Sequence, residues 1–329
     1  MIDPVEDHRP RFIDTASIEQ PRANARLYEN GDPPHESNND FFTRFCVWAN
    51  HNDLNTPEFL LPQIEMDEPV GPFRFEHRFA GSGTNPPTRE EIDRLALWDY
   101  QIEWGETSTL GQRRAEEWRF HRYRASLFPA LAAYVAGDDR ASLSVLDVAC
   151  HCGIMALEFA ERGFGDVLGL ELRGHNVAQA KFLKQTFSVP NVDFMVENAR
   201  NLRRYKADVV FCGGLLYHVT FPVELVTDLF KATGKFLIFD SLSQNHPFSG
   251  FHILGDRNVN RTLDGDNPIE LIPTYRAMID LLRNAGFDNI FEILGTQAPT
   301  VPYYKTRNVR SFLAVKPGVE LPHLSALIG

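Results

Sequence analysis

The sequence predicts an α/β protein built on a doubly wound, mostly parallel sheet of seven strands. Three observations carry that expectation. From residue 144 onward short apolar strands alternate with helices, the pattern of one parallel sheet covered on both faces. Gly137, Gly163, Pro222 and Gly286 stand where helices should stop or start. The last two strands, at 290–294 and 311–315, have no helix between them. They should therefore form an antiparallel hairpin at the sheet's edge.

Taken in order, the first 35 or so residues are polar and rich in proline, and read as an extended arm. Residues 71–79 alternate apolar and polar side chains, as a strand does. Thr88 and Glu91 form a capping box after Pro86-Pro87, opening a helix that runs to about Leu97. Residues 112–135 read as helical, with Leu127, Leu131, Tyr134 and Val135 on one face. Pro129 should kink or restart that helix. The alternation then runs strand 144–148, helix 154–162, strand 166–172, helix 176–187, and strands 192–196 and 208–212. A helix opened by Pro222 follows, then strand 235–240, then a helix capped by Thr274. Three regions are expected: an N-terminal arm and accessory or lid region over 1–110, a catalytic domain over 111–317, and a tail over 318–329.

The chain carries a net charge of −11. Nucleic-acid enzymes ordinarily need a basic footprint, so a polyanionic partner is disfavoured. The N-terminus lacks a signal-peptide pattern, and no apolar stretch is long enough to span a membrane. Cys46, Cys150, Cys152 and Cys212 show no paired zinc spacing and read as reduced, buried thiols of a cytoplasmic protein. The run Cys150-His151-Cys152 offers too few ligands for a metal, so no metal site is expected.

Chemistry gathers at the strand ends. The first strand runs into Asp147-Val148-Ala149-Cys150-His151-Cys152-Gly153, a strand, tight turn and helix start that can face backbone N–H groups to a ligand. The next strand ends in Glu171-Leu172, with an acid placed to accept ribose hydroxyls. Asn198-Ala199 follows the third strand, and Gly213-Gly214-Leu215-Leu216-Tyr217-His218 the fourth. These stretches, with the closing residues 310–317, resemble the class I S-adenosylmethionine-dependent methyltransferases and their Rossmann-like fold. Within that family they are similar to the branch of tRNA wobble-uridine methyltransferase-like proteins and small-molecule methyltransferases. The resemblance spans roughly residues 98 to 317 and implies S-adenosyl-L-methionine as cofactor.

By that resemblance Asp147, Ala149, Cys150, Gly153, Glu171, Leu172, Asn198, Ala199 and Gly213 surround the cofactor. Asn198 would meet the adenine amino group. The family's first motif usually has glycine where Ala149 and His151 stand. Either His151 fits without a positive φ, or the methionine end of the cofactor lies differently. Tyr217 and His218 fall at the rim where the methyl group emerges, and His218 is the first candidate for a base. His246, in the long segment after the fifth strand, is a further candidate. The aromatics of Trp98-Asp99-Tyr100-Gln101-Ile102-Glu103-Trp104, Trp98, Tyr100 and Trp104, either face a sulfonium and the acceptor or pack a core.

The leading expectation is methyl transfer to an O, N or S nucleophile of a small molecule. The alternative is a tRNA-modifying methyltransferase, for which Arg113, Arg114, Arg119, Arg122 and Arg124 speak faintly. A third reading is a cofactor-binding protein without turnover, for which only Ala149 and His151 argue. Dimer contacts, as in a homodimer, are expected in the accessory region if anywhere.

Overall fold

A computed structural model describes residues 61–66, 86–100, 102–104, 107–109, 115–246, 248–255, 269–295, 301, 304 and 307–327. The chain divides into Met1–Phe45 and Cys46–Gly329, and all described residues lie in the second part. The N-terminal arm, the strand expected at 71–79, Cys46 and Arg113-Arg114 fall outside them.

The elements run β1 (Gln63–Met66), α1 (Arg89–Arg94), β2 (Glu103–Trp104), β3 (Thr107–Ser108), α2 (Ala115–Ala136), β4 (Ser144–Val148), α3 (Ile154–Glu161), β5 (Asp166–Glu171), α4 (Gly174–Thr186) and β6 (Val192–Val196). Then follow β7 (Ala207–Gly213), α5 (Pro222–Ala232), β8 (Thr233–Leu242), β9 (Phe251–Gly255), β10 (Ile269–Pro273), α6 (Tyr275–Ala285), β11 (Asn289–Gly295) and β12 (Val309–Val315). Eight strands, not seven, share one sheet, in the order β1-β11-β12-β8-β7-β4-β5-β6. From β8 to β6 every pairing is parallel. β12 runs antiparallel to both β8 and β11. The expected terminal hairpin therefore exists, but it is not the edge. β1 pairs in parallel with β11 and covers it.

Alternation along the central strands explains the double winding. Val145, Val209, Ile238 and Leu313 join one apolar cluster with α2 and α3. Their chain neighbours Leu146, Val210, Leu237 and Phe312 join the other, with α5 and α6. Each strand thus buries both faces, as a central parallel sheet requires. The helix signals act as read. Thr88 and Glu91 make the reciprocal capping box of α1, which ends at Arg94 rather than near Leu97. Pro222 opens α5, and the Thr274 hydroxyl accepts from Ala277 N–H at the start of α6. Pro129 lies inside α2, which runs from Ala115 to Ala136 without restarting there. The long segment after β8 holds the antiparallel pair β9–β10.

The described residues of the accessory segment, 86–100, 102–104 and 107–109, pack on the same core. Gln179 of α4 donates to the carbonyls of Leu95 and Leu97, both at 2.9 Å. Trp98 and Trp104 are buried, the first near Phe182 and the second stacked on Phe187 at 5.3 Å. Among the described residues, no helix is long and apolar enough to cross a membrane.

Candidate active site

The turn after β4 departs from ordinary backbone at three places: Ala149 at φ +63°, His151 at +54° and Gly153 at +82°. His151 thus adopts the left-handed conformation that a glycine would take freely, at a cost of about 1–2 kcal/mol. The first option for His151, a fit without positive φ, does not hold. Gly153 is needed for a second reason. A Cβ there would lie 2.5 Å from the Phe194 ring and 2.9 Å from Ala180 Cβ, so only glycine lets the turn pack against β6 and α4.

This turn clamps Glu171. The backbone N–H of His151 donates to Glu171 Oε2 at 3.0 Å, and that of Arg173 donates to Oε1 at 3.0 Å. The carboxylate is buried at the end of β5, with the Arg173 guanidinium 3.7 Å away. Each oxygen keeps a lone-pair direction for a further donor. Leu172 and Val196, at the ends of neighbouring strands, leave 36% and 58% of their surface exposed, an apolar shelf beside that carboxylate. Asn198 caps the 3₁₀ turn Ala199–Arg204, its side-chain oxygen accepting from Arg200 N–H at 2.9 Å. Glu197, beside it, accepts from Asn201, Tyr205 and Asn198 N–H, which holds its carboxyl below the usual range.

A cleft open to solvent lies at the carboxyl edge of β4 and β7. Tyr100, His121, Arg124, Asp147, His151 and Gly213 are among its walls. Ala149 and Cys150 line it as well. Arg124 is buried and pairs with Asp240 at 2.8 Å, and Tyr304 and Ser311 donate to the other Asp240 oxygen at 2.7 Å. Its guanidinium fills the space a Gly213 side chain would need, 2.1 Å from that Cβ position. Burial pushes the Asp147 carboxyl up to about 7, against the weaker opposing pull of the Ala156 N–H and Arg124. Burial likewise raises the thiols of Cys150, Cys152 and Cys212, which makes them poor nucleophiles at neutral pH.

Beyond Gly213-Gly214 the chain makes the 3₁₀ turn Leu216–His218. The Tyr217 hydroxyl and the Arg124 guanidinium both lie within 3.8 Å of a Cβ built on Gly214, so Tyr217 borders the cleft's rim. His218 packs on the Tyr217 ring at 4.1 Å, and its Nδ1 lies 3.5 Å from Glu270 Oε1 on β10. The structure does not bring every candidate together. His246 is exposed, its Nδ1 accepting from Phe248 N–H. Trp98 and Trp104 lie in the core and away from the cleft walls, and only Tyr100 of the three aromatics lines it. Sequence reasoning passed over Glu270, His121 and Asp99. Only Asp99 lay in a stretch already singled out. Among the described residues, no group of three or more His, Cys, Asp or Glu is arranged for a metal ion.

Residues 145–235 match the family described as "Methyltransferase domain". The chain is 30% identical over 152 residues to a ubiquinone biosynthesis O-methyltransferase of Acinetobacter baumannii (strain AYE), covering 44% of this chain and 64% of that protein. It is 26% identical over 158 residues to a tRNA U34 carboxymethyltransferase of Campylobacter concisus, covering 47% and 52%. The alignment thus spans less than two thirds of these relatives' length. Among solved structures, the N-terminal domain of EvdMO1 with SAH bound superposes with a TM-score of 0.53 at 18% identity, over 69% of this chain and 94% of that one. That likeness establishes a shared fold.

Proposed function

We propose that the methyltransferase domain binds S-adenosylmethionine and directs its methyl group to a hydroxyl of a small molecule. The observation that carries this reading is the Glu171 clamp beside an apolar shelf, next to a cleft lined by Ala149, Cys150, His151 and Gly213. The buried carboxylate suits a ribose diol, and Leu172 with Val196 suits the faces of a purine. Ala149, Cys150, Asp147 and Gly213 would line the amino-acid end, and Asn198 and Ala199 the adenine edge. Asn198 already spends one oxygen lone pair on its cap, which leaves its amide N–H₂ and the second lone pair for the base.

The bound cofactor supplies a methyl group on a positively charged sulfur, so the leaving thioether is neutral and positioning supplies much of the rate. A hydroxyl must also give up its proton. The Glu270 carboxylate, 3.5 Å from Nδ1, favours the tautomer that keeps the basic lone pair of His218 on Nε2. That nitrogen takes the acceptor's proton, and Glu270 stabilises the resulting imidazolium before the proton passes to water. The oxygen-methylating relative supports a hydroxyl acceptor.

Of the arginines that speak for the tRNA reading, Arg124 is buried against Asp240 rather than displayed on a basic face. The test uses methyl-labelled S-adenosylmethionine with two pools, total tRNA and a desalted metabolite extract. Label is expected in the metabolite pool, with the methylated atom identified by mass spectrometry. Label confined to tRNA would overturn the small-molecule reading, and failure to bind the cofactor would remove the function altogether.

A further inference from the structure

His151 is the one motif residue that the proposed function leaves unexplained. Its side chain stands where the family's turn usually has glycine, and its backbone is held left-handed. Such strain persists only where surrounding contacts over-determine it. Those contacts come from the accessory segment. His151 Nε2 meets Asp99 Oδ2 at 2.8 Å, and both side chains are largely buried. The Tyr100 ring meets the His151 ring edge-on at 5.1 Å, while its hydroxyl lies 3.3 Å from His121 Nδ1 on α2. The segment is itself fixed. The Thr109 hydroxyl donates to the Tyr100 carbonyl at 2.6 Å, and Gln179 holds Leu95 and Leu97 to α4. On its other side, His151 aims its backbone N–H at Glu171 Oε2. A continuous path therefore runs from the accessory segment through Asp99 and His151 to the clamped carboxylate.

We propose that Asp99 and His151 are positioning residues for Glu171, and that segment 86–109 is in this way part of the cofactor site. Asp99 fixes the imidazole, the imidazole fixes the left-handed backbone, and that backbone keeps its N–H on the carboxylate. Without Asp99 the turn relaxes toward negative φ, which swings the N–H away and frees Glu171 to turn from the ribose. Glycine needs no such anchor, since it takes the left-handed conformation at no steric cost. The inference rests on the reading that Glu171 holds the cofactor.

The test is calorimetric titration of the full chain with S-adenosylhomocysteine, paired with thermal melting. Asp99→Ala is expected to weaken binding about ten-fold in the wild-type background, as loss of a hydrogen bond to a charged group does. In the His151→Gly background the same substitution should change affinity by less than about two-fold, because no imidazole remains to anchor. Asp99→Asn, whose side-chain oxygen can still accept from Nε2–H, should restore most of the affinity in the wild-type background. Asp99→Ser replaces Asp99→Ala if that variant fails to fold. An equal loss in both backgrounds, or a lowered melting temperature with unchanged affinity, overturns the proposal and leaves the pair a purely structural contact. A wild-type chain that binds no S-adenosylhomocysteine overturns the proposed function itself, and the inference with it.

Discussion

The two ends of the proposed site are built by different means. Glu171 sits at the end of a central parallel strand, and two backbone N–H groups fix its oxygens. His218 sits on a single 3₁₀ turn, and a side-chain carboxylate borrowed from the β9–β10 pair faces it at 3.5 Å. The first arrangement is written into the sheet and its tightest turn. The second depends on an inserted element and on two flexible side chains. A fold organised this way keeps one ligand's contacts in its frame and leaves the partner's pocket to parts that can be exchanged.

The largest effect that separates the two ends should come from His218→Ala. Turnover is expected to fall by about 10² to 10⁴, the usual contribution of a general base, with affinity for S-adenosylhomocysteine unchanged. Steady-state rates alongside calorimetry check this, and a parallel loss of affinity would erase the division. The next effect belongs to the frame. Asp147 titrates near 7 when folded and near 3.8 when unfolded. Its contribution is fully present below about pH 4 and is lost as the pH rises toward 7, because the unfolded chain ionises first. Asp147→Asn should therefore stabilise the protein relative to wild type by an amount that grows between these pH values, up to about 4 kcal/mol. Urea midpoints at pH 4 and pH 8 measure it, and a difference independent of pH would refute the burial account. A smaller effect is expected at Glu270. Glu270→Gln should slow turnover about ten-fold, part of what a base contributes. The rising limb of the pH–rate profile should move to lower pH, since the carboxylate favours the imidazolium. Superimposable profiles would show that Glu270 does not act on His218.

Most of the frame was legible in the sequence, and the reason is local. Asp147, Gly153 and Glu171 occupy the ends of short, regular elements whose periodicity and punctuation fix where the chain turns. The missing parts depend on contacts that no local period encodes. β1 is only four residues, Gln63-Ile64-Glu65-Met66, and is a strand because β11 offers it an open edge. β10 ends in Pro273 next to the helix cap Thr274, so its punctuation reads as the approach to α6. Glu270 acquires its place only when β10 lies against the Leu216–His218 turn. Asp99 and His151 are 52 residues apart. Trp98 and Trp104 presented a real ambiguity, since an aromatic that faces a ligand and one that fills a core look alike in sequence. Phe182 on α4 and Phe187 just past its end decide it for the core.

The central claim is that the clamped carboxylate of Glu171 holds the cofactor. Calorimetric titration of wild type and Glu171→Ala with S-adenosylhomocysteine addresses it most directly. The account predicts one site per chain in wild type and a loss of about 1–3 kcal/mol in the variant, the worth of a charged hydrogen bond. Equal affinity in the two proteins would contradict it.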